Sequence, residues 1–268
     1  MNALNPLRHS VRELLHEQLE FRELLYQIIY RDLLVRYKQT VMGFAWAVLT
    51  PVLNTIIFSI LFMRVARIET PVAYPLFVFC GLVAWNLTAA ALKFAVTSLT
   101  ANTSLVTKVY FPREIFPFAA VAVSLVDTAV ASLALVALMV FYDVALTPMV
   151  LFVPLIVVIQ AMFTAALALL LSMANLFYRD VKYVFDAVLT VWMFASAVVY
   201  PASSLGGVLG VVVNANPMTG IVESYRYVLL YGAAPPPSLI PAAAVSVLLL
   251  PAAWLLFHRM EFRFAENI

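Results

Sequence analysis

The chain has 268 residues, of which 65% are hydrophobic and 11% charged, and its mean hydropathy is +0.99. A soluble domain is nearer a quarter charged, so this composition excludes a soluble globular protein and indicates one integral membrane unit. The formal net charge of +2 says little, and the single cysteine, Cys80, cannot form an internal disulfide.

Residues 1–40 form a charged region that precedes the first apolar stretch. Its hydrophobic residues recur at helical spacing: Phe21, Leu24, Leu25 and Ile28. This spacing predicts an amphipathic helix that lies along the cytoplasmic face of a membrane. Arg31, Arg36 and Lys38 then form a basic cluster beside the first span, where anionic lipid headgroups would hold it.

Six apolar stretches follow, in the region 41–268, and each is read as a helix that crosses a hydrocarbon core of roughly 20 residues. They lie at 41–63, 72–92, 116–141, 146–172, 184–200 and 239–257. Thirteen of the 16 lysines and arginines fall in the termini and in the loops 93–115 and 173–183. Because positively charged loops stay in the cytoplasm, both termini are predicted to be cytoplasmic.

The segment 201–238 is long, weakly charged and broken by glycine and proline. It contains two apolar pieces, one with Gly206, Gly207 and Gly210 and one at 221–231 after Asn216 and Pro217. Neither piece is long enough to span a membrane. Short apolar pieces of this kind suit re-entrant or interfacial helices, which we expect near 201–231.

The loop 102–117 has the pattern of a helix, a break at Pro112 and a second helix on the membrane face. An exposed Tyr110 and Phe111 beside Lys108 and Arg113 would form a docking surface for a soluble partner. The alternative is an ordinary loop between spans that carries positive charge because it stays in the cytoplasm.

Asp127 lies midway along the third span with no charged residue at helical spacing. An ionisable residue inside a membrane is a functional candidate, so it could line a polar pathway or pair with another helix. It could equally be a protonated or hydrogen-bonded packing residue. Several aromatic residues lie near span ends and fit either an interfacial belt or a surface on which sugar rings stack: Trp46, Trp85, Trp192, Tyr200 and Trp254.

Motifs for catalysis are not found. No glycine-rich phosphate loop ends in lysine, so ATP hydrolysis would have to come from another chain. The three histidines are scattered, and His16-Glu17 lacks the second histidine of a zinc-protease helix because position 20 is Glu20. We therefore predict no catalytic residue, no metal site and no cofactor in this chain.

Four segments, taken in order, resemble one family. They are Arg31-Asp32-Leu33-Leu34-Val35-Arg36-Tyr37-Lys38-Gln39-Thr40 leading to Gly43-Phe44-Ala45-Trp46, then Lys108 to Pro117, Asn216-Pro217-Met218-Thr219-Gly220 with Tyr225-Arg226, and Glu261-Phe262-Arg263-Phe264-Ala265. The chain is similar along its whole length to polysaccharide-exporting ABC permeases, the channel subunits of O-antigen and teichoic-acid exporters.

The resemblance implies an all-α integral membrane fold that works as a homodimer with two ATPase subunits, which bind the ATP and Mg. The N-terminal helix would be a gate helix that meets a polyprenyl-diphosphate-linked glycan through Arg31, Arg36, Tyr37 and Lys38. The element near 104–115 would be a coupling helix with five contact residues: Lys108, Tyr110, Phe111, Arg113 and Glu114. The channel or gate candidates of the chain would be Trp46, Asp127, Trp192, Tyr200, Met218, Tyr225 and Arg226.

The implied place is the bacterial cytoplasmic membrane, with membrane lipids and no nucleic acid among the partners. The nearest alternative is an ABC-type efflux permease for another lipid or a drug. An ATP-independent lipid-linked-sugar flippase or an ion-coupled transporter would need paired intramembrane charges or repeats, whereas only Asp127 is found. A membrane glycosyltransferase or phosphotransferase would need acidic pairs or a metal cluster at the membrane face. Asp180 and Asp186 give this alternative only weak support. A passive structural membrane protein would leave the docking loop unexplained.

Overall fold

The computed structural model describes residues 16, 18–38, 43, 45–63, 70–108 and 111–264, without the side chains of residues 107 and 108. Over these ranges the chain is helical and contains no β-strand. Ten α-helices are described, numbered here in chain order: α1 Arg22–Tyr37, α2 Ala45–Leu61, α3 Tyr74–Ala101, α4 Thr103–Lys108, α5 Ile115–Phe141, α6 Val153–Phe177, α7 Val181–Phe194, α8 Gly207–Ala215, α9 Pro217–Leu229 and α10 Leu239–Met260. Short 3₁₀ turns precede α6 at Pro148–Phe152 and follow α10 at Glu261–Arg263.

Four helical stretches are long and apolar enough to cross a membrane. They are Tyr74–Ala101, Ile115–Phe141, Pro148–Phe177 and Leu239–Arg263, each of 25 to 30 residues. They coincide with the second, third, fourth and sixth predicted spans, and α3 continues about two turns beyond the predicted end at residue 92. The first predicted span corresponds to α2, a shorter apolar helix of 17 residues. An integral membrane protein made of helices is consistent with this arrangement.

The fifth predicted span, 184–200, is not one continuous helix. The helix α7 has only 14 residues and ends at Phe194. Its length is therefore about 21 Å, less than the roughly 30 Å of a hydrocarbon core. The chain turns at Ala197, whose φ is 50°, and extended backbone follows at Pro201. An L-residue in that left-handed conformation interrupts a helix, so the apolar run continues while the helix does not.

Two short helices, α8 and α9, occupy the segment that we expected to contain re-entrant helices. Asn216 joins them. Its side-chain Oδ1 accepts a hydrogen bond from the backbone N–H of Met218 at 3.0 Å, which caps α9, and Pro217 occupies the first helical position. The Nδ2 of Asn216 donates to the Ala195 carbonyl and to Ser196 Oγ, both at 2.9 Å. One amide therefore fixes the start of α9 to the turn after α7.

The helix α3 lies at the centre of the bundle and packs most extensively against α5 and α6, with α2 and α9 on its other sides. One large apolar core surrounds it. A second core lies at the end of the bundle where α1, α4 and the turn after α10 meet, which we call the α4 end. There Ile28, which is 4% exposed, packs among Val106, Trp254 and Phe264. The predicted apolar face of α1 therefore packs partly against protein, with Phe21, Leu24 and Leu25 half-buried, and its place along a membrane surface stays a prediction.

Candidate functional site

The side chains of Arg36 and Tyr37, at the end of α1, meet Asp127 in the middle of α5. The Arg36 guanidinium donates from Nη1 to Asp127 Oδ2, and the Tyr37 hydroxyl donates to Asp127 Oδ1. The guanidinium carbon of Arg36 also lies 3.7 Å from the centroid of the Phe94 ring of α3. Asp127 therefore pairs with another helix, which is one of the roles considered for it.

Burial makes this ion pair stronger than one in water. The side chains of Arg36 and Asp127 are 19% and 17% exposed, so little solvent screens their attraction. The ring of Phe94 adds a cation–π contact to the guanidinium. Burial also raises the pKa of the Tyr37 phenol to about 12, and the hydrogen bond to Asp127 adds to this effect. The phenol therefore stays protonated at neutral pH and continues to donate to the carboxylate.

Two cavities open on either side of Arg36. One has a volume of about 370 Å³ and is lined by Arg31, Asp32, Arg36, Phe94, Ser98 and Asn102 among others. The other, of about 380 Å³, is lined by Arg36, Tyr37, Trp46, Asn86, Phe94 and Asp127 among others. Arg36 and Phe94 form the wall that both cavities share. Each cavity combines apolar walls with a few polar groups, which is the usual composition of a ligand site.

A third cavity, also of about 370 Å³, is lined by one face of α1 and includes Arg31 and Lys38. The Arg31 Nη2 lies 2.8 Å from Asp32 Oδ1, so part of its charge is neutralised within α1. All four predicted headgroup residues, Arg31, Arg36, Tyr37 and Lys38, thus line cavities along one helix. Such an arrangement of guanidinium and ammonium donors can bind phosphate oxygens.

The predicted docking loop begins with α4 and ends where α5 starts at Ile115. The expectation that Phe111 is exposed is wrong: it is 4% exposed and packs edge-on against Phe116, with ring centroids 5.6 Å apart. An apolar ring beside a buried cluster gains more from burial than from a place on the surface. Tyr110 and the Lys108 side chain lie outside the described residues. The role of these residues in ATPase contact stays a prediction.

Arg113 and Glu114 also point inward, toward the end of α10. Arg113 Nη1 donates to the Glu261 carboxylate at 3.2 Å and to its backbone carbonyl at 3.1 Å. Glu114 is 1% exposed, and its Oε1 lies 3.1 Å from His258 Nδ1. Glu114, His258 and Glu261 offer ligand atoms that lie within 4.8 Å of one another. The sequence did not indicate this group because 144 positions separate Glu114 from His258.

Two of the seven channel candidates line an Arg36 cavity, and the other five do not. Trp46 and Asp127 line the second cavity, whereas Met218, Tyr225 and Arg226 are buried at 0%, 7% and 0% exposure. Trp192 packs edge-on against Trp85 and donates from Nε1 to Asn216 Oδ1 at 3.4 Å. The hydroxyl of Tyr200 donates to the Phe194 carbonyl. The structure therefore separates Trp46 and Asp127, at an Arg36 cavity, from the other five candidates, of which Met218, Tyr225 and Arg226 are buried and Trp192 and Tyr200 are half-buried.

Sequence reasoning missed a polar network inside the bundle. Gln160 Nε2 donates to the Ala84 carbonyl at 2.6 Å and to Thr88 Oγ1 at 3.0 Å, and its Oε1 accepts from the Tyr225 hydroxyl at 2.9 Å. Thr88 and Thr164 are 3.0 Å apart at their hydroxyl oxygens. A glutamine in the middle of an apolar span was the available signal, because a buried polar group requires partners.

Comparison with known proteins gives the family of the chain. Residues 23–230 match the family described as ABC-2 type transporter. The chain belongs to the ABC-2 type transporter family. This membership confirms the resemblance found in the four motif segments, and the matched region includes the Arg36 site, the docking loop and both short helices.

Three curated relatives of this ABC-2 type chain have the same name, O-antigen export system permease protein RfbA. The protein from Myxococcus xanthus is 31% identical over 258 residues, which cover 95% of this chain and 99% of the relative. Two from Klebsiella pneumoniae are 26% and 25% identical, and each covers 91% of this chain and 94% of its own length.

Proposed function

We propose that this chain is the membrane-spanning permease subunit of an ATP-driven exporter that moves lipid-linked polysaccharide across the bacterial cytoplasmic membrane. The ABC-2 family membership and the O-antigen export names of relatives along 95% of the chain support this function. ATP and Mg bind to a separate ATPase subunit, since the sequence has no phosphate-binding loop. The transported polymer is an O-antigen-like or related surface glycan.

The geometric observation that supports the proposal best is the position of Arg36 between two cavities. A polyprenyl diphosphate has an apolar chain and two phosphates, so it needs a site that is apolar on one side and cationic on the other. Arg36 offers a guanidinium in apolar surroundings, and Arg31 and Lys38 lie on the faces of α1 next to it. The substrate headgroup enters along α1 and exchanges for Asp127 as the partner of the Arg36 guanidinium.

The conduit is formed by two copies of the chain, each with six membrane crossings and both termini in the cytoplasm. The four long helices supply four crossings. The helix α2 supplies another crossing. The remaining crossing combines α7 with the turn tied to it through Asn216. The short helices α8 and α9 form the re-entrant gate on the far side, which suits their lengths of 9 and 13 residues.

The ATPase subunits dock on the α4 end. At the start of α4, Thr103 and Ser104 are exposed. Later in the same loop, Phe111 and Arg113 connect it to the packed bundle. Movement of an ATPase cleft against α4 would therefore be transmitted to α5 and α10 through side chains that are already in contact.

A cell-based export assay with Arg36→Ala tests this function. Loss of a charge-assisted contact worth about 1.5–3 kcal/mol predicts a fall in surface glycan of roughly tenfold or more. Lipid-linked glycan should accumulate inside the cells, and surface glycan is compared per amount of permease in the membrane, because Arg36→Ala leaves the Asp127 carboxylate without its guanidinium partner. The matched control is Arg22→Ala, an exposed arginine at the start of the same helix. Wild-type surface glycan in the Arg36→Ala strain would sink the headgroup role, and normal glycan after deletion of the permease gene would sink the export function.

A further inference from the structure

The structure brings three metal-binding side chains together at the α4 end. Glu114 lies at the start of α5, His258 in the last turn of α10, and Glu261 in the 3₁₀ turn that follows. Their carboxylate and imidazole atoms lie within 4.8 Å of one another. The side chains are 1%, 11% and 12% exposed, respectively. This group is therefore enclosed by the protein, unlike the acidic clusters that are common on surfaces.

The two distances from His258 to the carboxylates match the spacing of ligands around one zinc ion, and all three ligand atoms lie within 4.8 Å of one another. His258 Nδ1 lies 3.1 Å from Glu114 Oε1 and 3.4 Å from Glu261 Oε2. Tetrahedral zinc with bonds of about 2.0–2.1 Å to nitrogen and oxygen sets its ligand atoms about 3.3 Å apart. The three atoms can thus face one ion with only small movements. One histidine and two carboxylates form a ligand set that leaves the fourth position to water.

A second observation is a buried carboxylate oxygen in the group that has no hydrogen-bond partner among the described residues. Glu114 is almost completely buried, and its Oε2 has no hydrogen-bond partner in the part of the chain that the structure describes. A buried carboxylate is costly unless a charge or donors compensate it. Within the described residues, the other oxygen of the carboxylate, Oε1, contacts His258 Nδ1 at 3.1 Å. A divalent ion would compensate the carboxylate directly.

Arg113 orients the site from outside it. Its backbone N–H and its Nη1 both donate to Glu261 Oε1 at 3.2 Å, while Glu261 Oε2 faces the histidine. Metal-binding carboxylates are commonly held in this way by a hydrogen bond to their other oxygen. Arg113 offsets the charge of one carboxylate, and a cation between the ligand atoms would offset that of the other.

We infer that Glu114, His258 and Glu261 bind a Zn²⁺ ion that fixes the docking loop to the end of α10. Imidazole with carboxylates suits zinc better than magnesium, which prefers oxygen ligands and keeps its water. The ion would hold the α4–α5 loop at a set angle against α10. This site is separate from the Arg36 cavities, and the inference stands whether or not the exported substrate is a glycan.

Metal analysis of the full chain in lipid nanodiscs tests the inference. The protein carries an affinity tag without histidine, is stripped with EDTA, is equilibrated with micromolar Zn²⁺ and excess Mg²⁺, and is then desalted. We expect one zinc per chain by mass spectrometry of the elements. Zinc, and not Mg²⁺ alone, should raise the Tm by a few degrees, because a ligand that binds only the folded state stabilises it.

The variants Glu114→Gln and His258→Gln should each reduce zinc retention at least about tenfold, since each removes one ligand. The matched control is His16→Gln, which removes an exposed histidine that lies 3.6 Å from Glu20. It should retain zinc as the wild type does. If a ligand variant fails to fold, Co²⁺ loaded into the wild type gives an independent measurement, because tetrahedral Co²⁺ has visible absorption bands.

Three results would each overturn the inference. The first is wild-type protein that retains no zinc and whose Tm rises only as pH falls. This result would mean that a proton alone occupies the group. The second is His258→Gln protein that keeps its zinc. The third is equal loss of zinc from His16→Gln protein, since binding would then lie at exposed histidines.

Discussion

Arg226 is fully buried in the packed part of the bundle, and both terminal nitrogens of its guanidinium have partners. The group donates to the carbonyls of Ala197 and Val198, pairs with Glu223 at 2.7 Å, and stacks 3.6 Å from the ring centroid of Phe77. Gly81 makes room for it, since a Cβ there would lie 2.5 Å from Arg226 Nη2. The planar fork of arginine can satisfy two carbonyls and a carboxylate at once, which lysine cannot.

We therefore expect Arg226→Ala to destabilise the protein by about 3–5 kcal/mol, because it leaves Glu223 and two carbonyls without their partner. Arg226→Lys should restore less than half of this loss. Thermal unfolding of the purified protein, followed by tryptophan fluorescence, measures both. Arg179→Ala, at an exposed arginine, is the control and should change the Tm little. A wild-type Tm in Arg226→Ala protein would contradict the assignment of a structural role.

At the scale of elements, the connection between α7 and α9 depends on one side chain. Asn216 caps α9, donates to the turn after α7 and accepts from Trp192. Two segments about 20 residues apart, 192–196 and 216–218, thereby share a single amide. Aspartate would keep the cap acceptor but would lose both donors, so the two functions of the side chain can be separated by substitution.

Asn216→Ala should loosen α9 from the turn and cost about 1–2 kcal/mol for the cap alone, with a further loss at Ser196. Asn216→Asp should lie between the alanine variant and the wild type. Hydrogen exchange of the segment 195–219 is the measurement, and faster exchange is expected there. Asn214→Ala is the matched control, because that amide donates only within α8, to the Gly210 carbonyl at 2.8 Å. Equal exchange in the two alanine variants would contradict this account.

The docking loop contains both buried and exposed positions, and substitutions at the two kinds of position are expected to have different effects. Phe111→Asp places a carboxylate in an apolar cluster and removes a buried ring, so we expect a loss of stability of about 3–5 kcal/mol and little folded protein. Ser104→Asp, at an exposed position of α4, should fold normally and should reduce copurification of the ATPase subunit. Size-exclusion profiles and subunit recovery measure the two effects. Folded, monodisperse Phe111→Asp protein would show that the ring is not needed in the cluster.

The positions of the long helices could be predicted because length and apolarity are local properties of the sequence. The end of α7 could not, since the apolar run continues through Ala197, where the backbone turns. Nor could the partner of Asp127, because Arg36 lies 91 positions away and only packing brings them together. Phe111 was placed on the surface because its charged neighbours suggested exposure. Its burial depends on Phe116 and on the helices that cover both rings.

At the scale of the whole molecule, exposed apolar side chains cover the outer faces of α2 and α7. They include Ile56, Ile57 and Ile60 on α2 and Val184, Val188 and Val191 on α7. Such faces suit contact with lipid or with a second membrane helix. These faces do not distinguish the two sides of the membrane. The lysines and arginines of the loops between the long helices decide on which side each end of the bundle lies.

Cysteine labelling in intact cells tests the proposed six-crossing topology. In a Cys80→Ala background, Ala145→Cys lies in the exposed loop after α5, and Arg179→Cys lies in the exposed loop after α6. A maleimide that cannot cross membranes should label position 145 in intact cells. Position 179 should be labelled only after the cells are opened. Labelling of position 179 in intact cells would rule out cytoplasmic termini with six crossings.

The central place of α3 has a consequence for how this sequence can vary. Of its 28 residues, 19 are buried, and they lie on all sides of the helix. A helix with one lipid-facing side accepts almost any apolar residue there, whereas α3 has no such side over most of its length. A deep mutational scan should therefore show α3 intolerant around its whole circumference. The scan should show α2 and α10 tolerant along one stripe each, so α3 would be the segment that changes least as the family diverges.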